Sequence, residues 1–214
     1  MPAAKPTRDR LVEAALYLFW LNGYAATGIA QILERAAANA GSFYYFFKTK
    51  EELLLAVLDL YVRSLDAVIV EPVTTQIEDP MERVFGILNF YRQNLLATGC
   101  TYGCPIGRLA LEISEEQFRV HKRLADNFDG WTAAVEQCLK DAEAQGRLPA
   151  GINLKTLSQF VLTVMEGGVM QSRAHRDIRP FDASVEHLRE YFRLLAGQAG
   201  THQNKTQVSP DWRL

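Results

Sequence analysis

Between residues 118 and 142 the chain places Phe118, His121, Leu124, Phe128, Trp131, Val135, Cys138 and Ala142 at steps of three and four. That stride is the period of one face of an α-helix, held here for about seven turns. Shorter segments elsewhere keep the same period. No stretch alternates apolar and polar residues as a half-buried strand would. The expectation is an all-α fold of about nine helices.

Breakers and caps set the expected bounds. The first helix runs from Thr7 to Asn22, and Asn22-Gly23 stops it. A short second helix starts at Thr27, read as its N-cap, and ends at the small-residue turn Ala36-Ala37-Ala38. A third starts at Asn39 and reaches Phe47. Thr49-x-x-Glu52 is a capping box opening a fourth, which continues to about Val70 before a break at Pro72. Asp79-Pro80 opens a fifth, ending at Gly99. An irregular stretch from Cys100 to Pro105 leads into a short helix to Ile113. Long helices follow over Ser114–Gln145, Asn153–His175 and Asp182–Gly197. Residues 198–214 lose the period and read as a frayed tail.

Composition narrows the class. With 48% hydrophobic and 22% charged residues among 214, the chain is an ordinary globular protein, long enough to bury a core without disulfides. No apolar run approaches the roughly 18–20 residues of a membrane span. The polar first ten residues do not read as a signal peptide. Three cysteines are an odd number and make no disulfide framework, so a reducing cytoplasm is expected. Residues 1–50 carry six Lys/Arg against three acids, a net +3. The remainder carries 17 against 22, a net −5. A basic head on an acidic body suits a protein that presents one end to a polyanion.

The head also carries the most informative constellation. Two short helices around a small-residue turn form a helix-turn-helix pattern. The second of them opens with Asn39, Ala40, Gly41 and Ser42, whose short side chains let backbone approach DNA. Its N-terminus carries the partial positive charge that suits phosphate. Tyr44, Lys48 and Lys50 supply a hydroxyl and two cations for the sugar-phosphate backbone. Asn39, Ser42 and Tyr45 are the side chains placed for base edges. Phe43 and Phe47, four apart, read as core.

At these residues the sequence resembles the TetR family of ligand-responsive transcription regulators. The match runs through Thr7-Arg8-Asp9-Arg10-Leu11, Ala14-Ala15-x-x-Leu18-Phe19, Gly23-Tyr24-x-x-Thr27 and Gly41-Ser42-x-Tyr44-x-x-Phe47-Lys48-x-Lys50-Glu51-x-Leu53. The resemblance implies that residues 39–45 enter the major groove, that Tyr44 and Lys50 bind phosphate, and that Thr27 caps the second helix and touches phosphate. Gly28 stands beside Thr27 where the family has Ser or Thr, at the cost of one contact. Ala37 replaces the usual turn Gly; a positive φ there costs roughly 1 kcal/mol. A second resemblance joins Gly103-Cys104-Pro105-Ile106-Gly107-x-Leu109-Ala110-x-Glu112, Trp131 and Met165-Glu166-Gly167-Gly168-Val169-Met170-x-Ser172. These are similar to the LmrA/QdoR (YxaF-like) branch, the lincomycin-resistance and flavonoid-responsive regulators.

The family pattern implies a helix-turn-helix domain over 1–50 and an effector-binding and dimerisation domain over 51–197. The implied partners are operator DNA, a small-molecule effector and a second copy of the chain, with no membrane; the implied action is repression. Pocket candidates are Tyr61, Phe85, Leu88, Tyr91, Tyr102, Phe128, Trp131 and Met165, which suit a planar apolar ligand and equally suit a plain core. The expected two-fold seam uses Val161, Val164, Met165, Gly168, Leu188, Phe192 and Leu195. A rival mechanism makes Cys104 a thiol switch at a helix N-terminus. A remoter one makes Cys100 and Cys104 the dithiol of an all-helical enzyme. No phosphate loop, Gly-x-Gly-x-x-Gly or nucleophile elbow is present, and no catalytic residue, metal or cofactor is expected.

Overall fold

The computed structural model describes residues 5–205, with the backbone alone for 198–205. Among the described residues there is no strand. The α-helices are α1 (Thr7–Asn22), α2 (Ile29–Ala36), α3 (Ala40–Phe46), α4 (Lys50–Leu65), α5 (Glu71–Gln76), α6 (Pro80–Ala97), α7 (Pro105–Glu112), α8 (Phe118–Ala144), α9 (Leu154–His175) and α10 (Arg179–Lys205). Asp66–Val70, between α4 and α5, forms a π-helical stretch. It joins them into one run, so the described residues make nine helical pieces.

Local chemistry explains most of the bounds. Gly23 takes φ 91° and its N–H closes α1 on the Phe19 carbonyl. The Asn39 side chain accepts from the Ser42 N–H at 2.8 Å and caps α3. The Thr49 hydroxyl accepts from the Glu52 N–H at 3.1 Å and caps α4. The reciprocal bond of that capping box is shifted by one residue, from the Lys48 N–H to the Glu52 carboxylate at 2.7 Å.

Four expectations change. Pro72 ends nothing, because it falls in the first turn of α5, where its missing N–H is not needed, and the π stretch carries the helix past it. α8 begins at Phe118, four residues later than Ser114, since Ser114–Gln117 is folded into a turn. Phe118 itself is 77% exposed, and the inner face of α8 opens with Val120 and Leu124. α10 begins at Arg179 and runs to Lys205, so the first part of the expected tail is helical; residues 206–214 lie outside the described residues.

Packing divides the chain into two compact units. One runs to Ala67 and adds Tyr102–Gly130; the other takes Val68–Thr101 and the chain from Trp131 onward. In the first unit Leu11, Ala15, Phe19, Ile32, Phe43, Leu53, Leu54 and Leu58 are all but sealed from solvent. Each of the Leu, Ile and Phe side chains among them contributes about 1.5–3 kcal/mol. In the second unit α9 and α10 form the principal pairing. Gly168 permits it, because a Cβ there would sit 3.2 Å from the Phe181 Cα. Buried Ser172 accepts from the Phe181 N–H at 3.0 Å and fixes the turn between the two helices.

Candidate nucleic-acid interface

The helix-turn-helix is α2, its turn and α3. Ile32 and Ala36 of α2 and Phe43 of α3 are buried, with Phe47 just beyond, and both helices of the pair pack on α1. Phe43 and Phe47 meet with ring centroids 6.0 Å apart. The turn depends on Ala37, held at φ 47°, ψ 50°. An L-residue pays for that left-handed geometry in Cβ crowding.

The opposite face of α3 is bare. Ala40, Gly41, Tyr44 and Tyr45 are exposed, Tyr45 to 77%, and Ser42 is half-buried. With Phe46, Tyr44 and Tyr45 leave three consecutive aromatic side chains exposed on one short helix. Asn39 spends its side-chain oxygen on the cap and has only its amide N–H groups to offer outward. Lys48 lies exposed at the end of α3 and donates to the Tyr44 carbonyl at 2.8 Å.

Two expected phosphate contacts are engaged elsewhere. Thr27 is fully buried, and its hydroxyl donates to the Gly23 carbonyl at 2.7 Å. It does not cap α2: Gly28 holds the cap position, and the Gln31 side chain accepts from the exposed Gly28 N–H at 2.8 Å. Lys50 turns inward. Its ammonium donates to the Tyr24 and Thr27 carbonyls at 2.7 and 2.8 Å and lies 4.2 Å from the Tyr24 ring centroid. Burial pulls the Lys50 pKa down, opposed by the charge of Glu112. Lys50 therefore fastens the α1–α2 turn and leaves at most one of its three donors for DNA.

Residues 11–57 match the family of bacterial regulatory proteins named for TetR, and residues 80–188 match the tetracycline-repressor-like C-terminal domain. A helix-turn-helix regulator of Mycobacterium tuberculosis is 30% identical over 191 residues, covering 85% of this chain and 92% of its own. LmrA of Bacillus subtilis is 30% identical over 181 residues, covering 81% and 90%. The chain belongs to the TetR family. It is a helix-turn-helix transcriptional regulator. The fold agrees with that of CifR, a TetR-family regulator solved with a 26-bp operator, at a TM-score of 0.73 and 22% identity over 88% of this chain and 98% of that one.

The other expected TetR-family sites distribute as follows. Tyr61, Tyr102 and Phe128 belong to the first unit, and Phe85, Leu88, Tyr91, Trp131 and Met165 to the second. Within the second, the Tyr91 and Trp131 rings meet edge-on at 6.3 Å. Trp131 is 4% exposed and its indole N–H has no acceptor. Of the expected seam, Val161, Met165, Gly168, Leu188 and Phe192 are buried in the chain's own interior, where Phe192 packs on Phe85 at 5.7 Å; Val164 and Leu195 are half-buried. The outward apolar residues of α9 and α10 are instead Phe160, Met170, Tyr191 and Leu194, with Phe160 and Tyr191 edge-on at 5.9 Å.

All three cysteines are buried thiols. Burial pushes the Cys100 thiol up, and Cys138 up to about 11, which disfavours the thiolate in both. Cys104 stands at the cap position of α7. Among the described residues no group of three or more His, Cys, Asp or Glu is placed to hold a metal, and no helix is long and apolar enough to cross a membrane. Arg108 is a further residue on the α1–α2 turn that the sequence motifs skipped. Its one signal was the four-residue spacing to Glu112.

Proposed function

We propose that the chain is a dimeric cytoplasmic repressor, not an enzyme, that lays α3 in the major groove of its operator and leaves it on binding a flat aromatic effector. The carrying observation is the division of α3. Phe43 fixes one side in the core, while Ala40, Gly41, Tyr44 and Tyr45 stand outside with Lys48 beside them. That face offers close backbone approach, one cation and two phenols to a polyanionic groove. Ser42, Asn39 and Tyr45 are assigned to base edges, and Tyr44 and Lys48 to phosphate.

The effector reading rests on the Tyr91–Trp131 pair. A buried indole N–H without an acceptor costs about 1–3 kcal/mol. A planar aromatic ligand bearing a carbonyl or phenolic oxygen would stack on these rings and relieve that cost. The thiol alternative rests on Cys104, which stands at the cap position of α7 but is itself buried, away from an oxidant in solvent. The dimer seam is assigned to the outward face of Phe160, Met170, Tyr191 and Leu194.

The DNA assignment is tested on duplexes selected by the wild-type chain from a random pool, against scrambled duplexes. Tyr44→Phe and Lys48→Ala are expected to weaken both alike, Lys48→Ala lowering the salt slope by about one. Tyr45→Ala and Ser42→Ala are expected to change which bases are preferred. Unaltered binding in all four variants would remove α3 from the interface.

A further inference from the structure

The turn from α1 to α2 is held from outside its own helices. Arg108 and Glu112, four apart on α7, form an ion pair at 2.7 Å with both side chains about one-fifth exposed. The rest of the Arg108 fork donates to the last carbonyls of α1: Trp20 at 3.2 Å, Leu21 at 3.1 Å and Asn22 at 2.7 Å. The second Glu112 oxygen accepts from the N–H groups of Tyr24 at 2.7 Å and Ala25 at 3.2 Å. One ion pair thus satisfies three carbonyls that a helix end leaves without partners and two amides of the following turn.

Other contacts point to the same seat. The Trp20 indole donates to the Gly103 carbonyl at 3.2 Å and packs on Tyr102 at 4.9 Å. Any side chain at Gly23 would collide with both the Glu112 carboxylate and the Arg108 guanidinium. From the other side, Lys50 grips the Tyr24 and Thr27 carbonyls. The turn so clamped feeds directly into α2, and α2 sets where α3 stands. The chain re-enters this first unit at Tyr102, two residues after Cys100, which takes φ 55°.

We propose that Arg108 and Glu112 are positioning residues for DNA recognition. They form a latch through which the segment 102–112 fixes the α1–α2 turn, and opening the latch lowers operator affinity without removing any DNA contact. A charged pair spent on five backbone groups holds a geometry that apolar packing alone would leave free to slide. Arg108 bears on the end of α1 and Glu112 on the Tyr24 and Ala25 amides of the turn that leads into α2. This positioning role rests on the reading of α3 as the DNA-facing helix.

The test uses the full chain, duplexes it selects from a random pool, and scrambled duplexes of equal length. Glu112→Ala is expected to lower affinity for the selected duplex roughly tenfold. Affinity for the scrambled duplex and the salt slope are expected to hold. Hydrogen exchange at the Tyr24 and Ala25 amides is expected to rise by a similar factor. Glu112→Gln keeps an acceptor for the Tyr24 N–H and is expected to recover part of the loss. If Glu112→Ala does not fold, Glu112→Gln alone decides, by the same contrast between duplexes. Faster exchange with selected-duplex affinity within about twofold of wild type would make the latch merely structural and overturn the proposal. Equal losses on both duplexes would overturn it as well, since the pair would then support DNA binding in general and not the placement of the reading helix. Tyr44→Ala is the separate control: if it weakens neither duplex, the α3 reading fails, whatever Glu112 does.

Discussion

Single residues decide how this head is built, and Ala37 is the clearest case. Its left-handed φ of 47° places a Cβ where glycine would carry none. Ala37→Gly removes that crowding, worth about 1–2 kcal/mol, and returns part of it through the greater entropy of the unfolded chain. The expected net effect is a stabilisation of about 0.5–1 kcal/mol, read as a higher melting temperature with operator affinity unchanged. A lower melting temperature would mean that the turn is not strained. This position was legible in the sequence because the family pattern puts glycine there. Thr27 and Lys50 were not. A threonine reads as a cap and a lysine as a surface cation, and nothing local says that the hydroxyl will find the Gly23 carbonyl or that the ammonium will find two carbonyls some 25 residues away. Arg108 escaped for the same reason, its partners lying in a distant helix end.

At the scale of elements, period and capping carried the reading far. Asn39, Thr49, Asp79 and Asn153 all cap the helices they were expected to open, each side chain accepting from a backbone N–H. Pro72 was misleading, because proline stops a helix only where its N–H would have been used. Phe118 was misleading because a three-four stride continues formally past the end of the buried face. α8 carries the element-level prediction. Trp131→Phe keeps an aromatic ring and removes the orphaned N–H at the cost of a smaller buried volume; the two effects oppose, and the free protein is expected to fold and to bind DNA as before. Its affinity for a planar aromatic ketone, measured by calorimetry, is expected to fall about tenfold relative to wild type. Equal affinity in the two proteins would move the effector contact away from Trp131.

For the whole molecule, the sequence showed that α9 and α10 are apolar but not which way each stripe faces. A helix at a dimer seam has one apolar stripe for its own core and another for its partner, and periodicity alone marks the richer, inner one. That is why Val161, Met165, Leu188 and Phe192 drew attention, while Phe160, Met170, Tyr191 and Leu194 stand outside. Leu194→Glu is therefore expected to give folded monomers in sedimentation, whereas Phe192→Asp is expected to unfold the protein, since it buries an unpaired charge. A stable Leu194→Glu dimer would place the seam elsewhere. The central claim is that two copies present α3 together to one face of a duplex. Selection of bound duplexes from a random pool by the wild-type protein tests it most directly. The account predicts an inverted repeat whose half-site centres lie about 34–36 Å apart, one helical turn, or a multiple of that distance. Enrichment of a single unrepeated site, or of no sequence at all, would contradict it.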